Sequence, residues 1–245
     1  MKKRMLLGLL LLAAPLAALN TSGDIILAHF ADGLQWTTTF TIVNLDTAQA
    51  SYTLYFYDDN GNPLSLSVVV AGAASTGTSY GGVLAVNGSA VIQTKGGGSG
   101  VRQGWAHLTS SQKLGAQAVF VEHTSVADYE AAVPVGLVSN AFRIAFDNTN
   151  GYFTGVAISN WDQLNPVTVI ATFRDQTGAQ IVSGQAAIIK AYGHTSLLLY
   201  LNFPTTVGRI GTVDFSCASF CSISGLGLRF SPNNGPFTST SAFGL

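Results

Sequence analysis

Four histidines, His29, His107, His123 and His194, could serve acid–base chemistry or bind a metal, because imidazole titrates near neutral pH. His107 and His123 lie in predicted strands and could be close across a hairpin. Metal sites need two to four ligands at suitable spacing, and the sequence contains no H-x-H, H-E-x-x-H or C-x-x-C arrangement. We therefore interpret the histidines as ordinary strand residues and expect neither a metal nor another cofactor.

A possible nucleophile occurs in the run Gly77-Thr78-Ser79-Tyr80-Gly81, which matches the G-x-S-x-G pattern of hydrolases. That mechanism needs a helix directly after the serine, and residues 82–88 have no helical character. Residues 71–82 are mostly small, which predicts an inter-strand loop. We therefore expect no catalytic residues and no enzyme, and a hydrolase that uses Ser79 is the least favoured alternative.

Residues 58–62, Asp-Asp-Asn-Gly-Asn, offer oxygen ligands that calcium would accept. A calcium loop of the EF-hand type ends in a glutamate, which is missing here. Asp and Asn before Gly are also the preferred residues of a tight hairpin turn. We predict a hairpin, and weak calcium binding at Asp58 and Asp59 stays open.

Cys217 and Cys221 are the only cysteines. Two cysteines in an exported chain usually form a disulfide. Residues four apart on a straight strand lie about 13 Å apart, which is too far to bond. The sequence therefore predicts a Cys217–Cys221 disulfide across a turn at residues 218–220.

Tyr55 and Tyr57 flank Phe56, a predicted core position, so both should point away from the core. Exposed aromatic rings on a sheet can stack on sugars or on another protein. They can also form a contact between two parts of one chain, or lie singly on the surface. We keep Tyr55 and Tyr57 as possible ligand or partner contacts, with these alternatives open.

The elements that must position these residues are strands. Residues 36–43, 51–57 and 167–173 alternate apolar with polar residues and are rich in Thr, Val, Tyr and Phe. Residues 59–63, 176–178 and 232–235 carry the residues preferred in turns. No amphipathic helical pattern exceeds about two turns. The fold class is therefore all-β.

An internal duplication follows from aligning Asn44 with Asn160, since Asp46 then falls on Asp162 and further matches keep their order along the chain. We predict two tandem, duplicated immunoglobulin-like β-sandwich domains at 24–135 and 141–245, each with seven or eight strands. The junction at 137–140 is short and only 9% of residues are charged, so we expect the two domains to pack together.

The N-terminus has the layout of a secretory signal peptide, which we place at residues 1–19. Two lysines and an arginine precede an apolar run, and small residues follow it. The run is shorter than the roughly 20 residues of a bilayer span, and we expect no transmembrane segment after it. Its removal takes three of 11 basic residues, leaving eight against 12 acidic ones, a net charge of −4. That balance speaks against nucleic-acid binding.

A recurrent module is visible in Ala28-His29-Phe30-Ala31-Asp32-Gly33, in Trp36-Thr37-Thr38-Thr39, in Val43-Asn44 and in residues 57–64, Tyr-Asp-Asp-Asn-Gly-Asn-Pro-Leu. It resembles uncharacterised exported bacterial proteins that are built of tandem immunoglobulin-like β-sandwich repeats. The resemblance covers nearly all of the chain after the leader. It implies export and a tandem β-sandwich fold, and it implies no activity or site residue.

These observations together predict an exported, non-enzymatic protein with a structural, adhesive or surface-assembly role. Charged residues normally keep sheet edges apart, and this chain has few of them. Its partners would be further copies of itself, cell-surface or extracellular proteins, or glycans. The alternative is a module that binds glycans or small ligands through exposed aromatics. We expect it to be secreted, extracellular or on the cell surface, with the periplasm as a further possibility.

Overall fold

The computed structural model describes residues 24–218 and 221–245, and its regular structure is almost entirely β-strand. The all-β prediction is therefore confirmed. The predicted signal peptide, residues 1–19, lies outside the described residues. In the described part of the chain, no helix is long and apolar enough to cross a membrane.

The N-terminal half, residues 24–133, contains ten strands. They are β1 (Ile25–Leu34), β2 (Trp36–Asn44), β3 (Ala50–Tyr57), β4 (Leu66–Val70), β5 (Ala73–Gly77), β6 (Ser79–Leu84), β7 (Ser89–Thr94), β8 (Gly97–Ser110), β9 (Leu114–His123) and β10 (Asp128–Val133).

The C-terminal half, residues 141–244, contains the remaining strands and one short α-helix. They are β11 (Ala141–Asp147), β12 (Phe153–Asn160), β13 (Val167–Asp175), β14 (Gln180–Ile189), β15 (His194–Leu198), α1 (Leu199–Asn202), β16 (Ile210–Cys217), β17 (Ile223–Phe230), β18 (Phe237–Thr240) and β19 (Phe243–Gly244). Two 3-10 turns, Pro204–Thr206 and Pro232–Asn234, complete it.

Strand β2 demonstrates how the sequence pattern produces the fold. Its apolar face, which includes Phe40 and Ile42, is buried, and Thr37, Thr39 and Thr41 on the other face are half-buried. Alternating side chains point to opposite faces of a strand, so one face can enter a core. The predicted alternation is confirmed here.

The prediction of a loop over residues 71–82 was wrong. Strand β5 pairs regularly with β4, and β6 pairs regularly with β3, with only Thr78 between them. Small side chains do not prevent this pairing, because the ladder is made by backbone N–H and C=O groups. Those two strands also raise the count in this half to ten, above the seven or eight predicted.

In the N-terminal half, the strand order is β6-β3-β8-β1 in one layer and β5-β4-β7-β2-β9-β10 in the other. The pair Gly33–Trp36 joins the two layers. Their inner faces share a buried cluster that includes Phe30, Phe40 and Phe56.

In the C-terminal half, one sheet has the order β14-β13-β16-β11-β19 and the other β15-β12-β17-β18. Phe146, Phe173 and Phe215 are buried between them. Leu226 and Phe237 instead join the core cluster of the N-terminal half, so the two halves are packed against each other.

The predicted disulfide is present between Cys217 and Cys221, with their Cα atoms 6.2 Å apart. Cys217 ends β16 and Cys221 shortly precedes β17, so the bond closes the connection between two strands of opposite sheets. A short loop closed in this way contributes stability at the low end of the usual range.

Candidate functional site

The contact between the two halves contains three buried histidines, His29, His107 and His194. Strand β1 lies at its centre and is buried along nearly its whole length, because one face enters the N-terminal core and the other meets the C-terminal half. Trp105 of β8 is also fully buried there, and its indole Nε1 donates to the backbone oxygen of Tyr192 at 2.9 Å.

Three side chains form a hydrogen-bonded series across the contact. Asp59 Oδ1 lies 2.7 Å from His194 Nδ1, and His194 Nε2 lies 3.2 Å from His29 Nδ1. The two imidazole rings are stacked, with centroids 5.2 Å apart. The His194 side chain is fully buried and His29 is 7% exposed, so both rings depend on this series for their hydrogen bonds.

A bulge in β1 turns His29 towards the C-terminal half. Leu27 pairs with Ala106 and Phe30 with Gly104, so β1 holds one more residue than β8 over this stretch. Leu27 and Ala28 both enter the core, and the alternation resumes with His29 on the opposite face. Bulges of this kind re-aim side chains and are frequent beside functional sites.

The series fixes which nitrogen of each ring carries a proton. The Asp59 carboxylate can only accept, so His194 Nδ1 donates to it, and in the neutral imidazole His194 Nε2 is then the acceptor. His29 Nδ1 then donates to His194, which leaves a lone pair on His29 Nε2. Three buried side-chain polar atoms in the described residues have no partner, Ser159 Oγ, Ser224 Oγ and Thr240 Oγ1. His29 Nε2 is not among them, and His29 lines a cleft between the halves.

The surroundings keep His29 uncharged near neutral pH. Burial, with a further contribution from His194, lowers the pKa of His29 to about 3. Burial alone would raise the pKa of Asp59, but hydrogen bonds from His194 and Gln103 lower it below its ordinary value. Near neutral pH, Asp59 is therefore an anion and His29 is uncharged.

We expect acidification from pH 6.5 to 4.5 to lower the free energy of unfolding by about 2 to 3 kcal/mol through His29. Over this range the unfolded histidine binds a proton and the folded one does not. Unfolding then takes up a proton, so stability is highest above pH 6.5 and falls as the pH falls. Urea unfolding at a series of pH values measures this slope.

The matched variant for that measurement is His29→Gln, which should reduce the slope by about one proton. Burial also lowers the pKa of His107, so this residue contributes to the pH dependence of stability that remains in His29→Gln. An unchanged slope in His29→Gln would show that His29 titrates normally.

A second series lies beside the first. The carboxylate of Asp24 accepts from His107 Nε2 at 2.7 Å, and His107 Nδ1 accepts from the Tyr192 hydroxyl at 2.8 Å. Burial raises the pKa of Tyr192, so the phenol keeps its proton. Trp161 meets the His107 ring edge to face at 4.7 Å. Both series therefore link the two halves by hydrogen bonds and fix their relative position.

A cleft of about 250 Å³ opens between the halves next to His29. Most of its lining is apolar and comes from both halves. The lining includes His29, Trp36, Val101, Phe120, Ser196 and Phe230. Ser196 donates its hydroxyl proton to Gln103 Oε1 at 2.9 Å, and Gln103 donates to Asp59 Oδ2 at 3.0 Å. The cleft thus combines aromatic walls with acceptor atoms on one side.

The predicted proximity of His107 and His123 across a hairpin is not found. His107 belongs to the contact between the halves, whereas His123 is exposed and binds Asp128 and Thr37 at 3.0 and 2.9 Å. Among the described residues, no group of three or more His, Cys, Asp or Glu side chains is placed to hold a metal ion.

The remaining candidates are placed as follows. Ser79 lies in β6, opposite Tyr55, and a strand continues after it rather than a helix. Asp58 accepts from the backbone N–H groups of Asn60 and Asn62, both at 2.8 Å, as a hairpin turn requires. Asp59 faces away from that turn and binds His194.

The two tyrosines lie near the contact between the halves. The Tyr57 ring packs on Trp105 and meets Tyr192 at 4.5 Å between centroids. Tyr55 is half-buried, with its ring 5.9 Å from that of His107. Both rings therefore contact aromatic side chains of the chain, and of the two only Tyr57 is seen to contact a ring of the C-terminal half among the described residues.

Sequence reasoning missed the pairing of His29 with His194. One signal was present in the sequence alignment of the two halves, in which Asn87-Gly88-Ser89 corresponds to Tyr192-Gly193-His194. A large aromatic residue and a histidine there replace residues that suit an exposed turn. Tyr192 also adopts a φ of 57°, which is unusual for a bulky side chain.

No family model matches this chain, and no protein with a curated description matches it. Among solved structures, a match is found to the crystal structure of a lectin from Pleurotus ostreatus in complex with GalNAc. The match is 11% identical and covers 91% of this chain and 81% of that one, with a TM-score of 0.17. At that TM-score, the likeness supports no conclusion about fold or ligand.

Proposed function

We propose that this chain is an exported, non-enzymatic structural protein, built of two duplicated immunoglobulin-like β-sandwiches, that assembles with further copies of itself at the cell surface or outside the cell. The leader-like N-terminus and the disulfide support export, because disulfides persist in oxidising compartments. A second form of this structural role is adhesion, in which the partner is another surface protein instead of a further copy of the chain.

Strand pairing supports the duplication. The pairs β1·β8, β3·β8, β3·β6, β2·β7, β2·β9 and β9·β10 correspond in order to β11·β16, β13·β16, β13·β14, β12·β15, β12·β17 and β17·β18. Two copies of one fold would produce such a list of matching pairs.

Individual hydrogen bonds support the duplication as well. Asn44 and Asn160 are both buried, and each donates its amide to backbone oxygens of two neighbouring connections. Each also accepts from the backbone N–H two residues later. Thr38 and Thr154, six residues before these asparagines, each exchange hydrogen bonds with the backbone of one residue of the preceding strand.

The observation that carries the assembly role is the outer edge formed by residues 73–84. Strands β5 and β6 are the outermost strands of their layers and follow each other almost without interruption. This edge contains no Lys, Arg, Asp, Glu or Pro, and its pairing has no bulge. Proteins normally protect such edges with charge, proline or bulges, so an unprotected one favours pairing with another strand.

The edge strand β14 provides a contrast within the same chain. It is also uncharged, but its pairing with β13 has two register shifts, and Pro204–Thr206 packs against it. Bulges and a covering segment are common ways to prevent edge pairing. The edge at 73–84 is therefore the better candidate for the assembly surface, and a second copy can use the same edge in a two-fold arrangement.

Light scattering after size-exclusion chromatography tests the proposal. We expect the natural chain to form at least dimers in a concentration-dependent way. The double variant Ala74→Lys/Val83→Lys, at two exposed edge positions, should be monomeric because charge is placed along the strand. Ile188→Lys on β14, at a side chain 64% exposed, is the matched control and should leave the assembly intact.

A natural chain that stays monomeric at all concentrations would overturn the proposal. Dissociation by Ile188→Lys alone would move the assembly surface to β14. Glycan or ligand binding through Tyr55 and Tyr57 is the alternative function, and the packing of Tyr57 against Tyr192 weighs against that location. A hydrolase that uses Ser79 gains no support from its position in the middle of an edge.

A further inference from the structure

We propose that the cleft between the two halves binds a small, uncharged ring compound that carries a hydroxyl group, and that His29 Nε2 accepts the hydrogen bond from that hydroxyl. This inference is independent of assembly through the edge at 73–84. It concerns a site that exists only because the two halves are docked, since both halves line it.

The polar atoms in the cleft specify a donor on the ligand. The tautomer imposed by Asp59 and His194 leaves His29 Nε2 as an acceptor. The Ser196 hydroxyl donates its one hydrogen bond to Gln103, so towards a ligand its oxygen can only accept. A hydroxyl group satisfies an acceptor of this kind. A carboxylate or phosphate has no proton to offer, and no Lys or Arg among the described residues lines the cleft.

The walls specify an apolar ring. Trp36 and Phe120 lie with centroids 5.9 Å apart, and Phe230 completes the aromatic lining from the C-terminal half. A cavity of about 150 Å³ is known to hold benzene, so about 250 Å³ accommodates one substituted ring. A sugar carries more hydroxyl groups than this lining can partner, and burying unpartnered ones is unfavourable.

The construction around His29 separates this cleft from an incidental gap. The ring is more than nine-tenths buried, a β-bulge turns it towards the cleft, and two further side chains fix its tautomer. Preorganised polar groups of this kind give a ligand site its orientation and specificity. The donor of His29 is fully used within the protein, so only its acceptor is available to a ligand.

The test uses ¹⁹F NMR on the purified protein with 4-fluorophenol and 4-fluorotoluene, two probes of nearly the same shape that differ in the hydroxyl. We expect 4-fluorophenol to bind about three- to tenfold more tightly, which is the usual contribution of one hydrogen bond. 4-Fluorobenzoate should bind more weakly than either, because its charge finds no partner.

Two variants locate the binding. His29→Phe retains a ring but removes the acceptor, so 4-fluorophenol should lose its preference while 4-fluorotoluene still binds. Val101→Trp fills the cleft from an exposed position at its rim and should abolish binding of both probes. Val91→Trp, at a comparably exposed valine on β7, is the matched control and should bind as the natural chain does.

Three results would overturn the proposal. They are the absence of binding, equal affinity of the natural chain for the two uncharged probes, and binding that survives Val101→Trp. Tighter binding of 4-fluorobenzoate than of the two uncharged probes would contradict the proposal that the ligand is uncharged. If His29→Phe does not fold, the comparison of Val101→Trp with Val91→Trp still decides whether the cleft is the site.

Discussion

Replacing Gly104 with alanine is expected to lower the free energy of unfolding by about 3 to 5 kcal/mol, as strong overpacking in a core does. A Cβ at this position would lie 1.9 Å from the backbone oxygen of Tyr57. That oxygen cannot move aside cheaply, because β3 and β8 are paired along this stretch. Urea unfolding of the variant and of the natural chain measures the difference.

Gly100→Ala is the matched control on the same strand. No heavy atom lies within 4 Å of a Cβ built there, and its φ is outside the left-handed region. We expect a change within about 0.5 kcal/mol, as for most exposed positions. Equal stability of Gly104→Ala and Gly100→Ala would mean that β3 and β8 are further apart than the structure has them.

The same experiment on Gly211 examines the duplication. A Cβ on Gly211 would lie 2.0 Å from the backbone oxygen of Arg174, and Arg174 is the counterpart of Tyr57 in the sequence alignment. Gly211→Ala should therefore cost as much as Gly104→Ala, about 3 to 5 kcal/mol. Two copies of one fold impose the same contact twice, and a neutral Gly211→Ala would count against the duplication.

Features that depend on local pattern could be predicted from the sequence. Alternation predicted the all-β class, turn residues predicted the turn at 58–62, and the expectation of export with the short spacing predicted the Cys217–Cys221 bond. Each of these depends on neighbours within a few residues along the chain. The edge at 73–84 was missed because its small residues carry a weak strand signal, and its pairing with β3 decides its structure.

The site between the halves could not be predicted in the same way. His29 faces the C-terminal half only because one extra residue in β1 reverses the alternation, and the sequence does not mark that bulge. His194 comes 165 residues later, and no periodicity relates the two. Contacts between separately formed layers depend on their docking, which single-sequence patterns do not encode.

Trp105→Ala is expected to lower the free energy of unfolding by about 3 to 5 kcal/mol, the usual cost of truncating a buried tryptophan. Trp105 is fully buried, although it lies on the outward face of the N-terminal half. Tyr57 of its own half stacks on its ring, and across the contact the ring meets Tyr192 at 4.6 Å and Trp161 at 5.8 Å. The loss should therefore fall on the docking of the halves rather than on either core.

Calorimetry and urea unfolding separate these effects. We expect the natural chain to unfold in one transition and Trp105→Ala in two, because the C-terminal half has its own core cluster and the other cluster consists mostly of residues of the N-terminal half. Trp105→Phe retains most of the packing but leaves the Tyr192 oxygen without its donor, so it should cost about 1 to 3 kcal/mol. A single transition with an unchanged midpoint in Trp105→Ala would contradict this role.

The backbone conformation of Tyr192 makes the Trp105–Tyr192 contact more important for stability than its buried area alone would. Its φ of 57° is costly for a bulky residue, and Asn87, its counterpart in the alignment, holds a φ of 61° that asparagine tolerates well. Tyr192 keeps that conformation while Trp105 and His107 bind its backbone oxygen and its hydroxyl. In Trp105→Ala the strain is no longer offset, so adding Tyr192→Asn should restore about 1 kcal/mol to the C-terminal transition. The same addition to the natural chain should destabilise it, because the bonds to His107 and the packing on Trp105 would be lost.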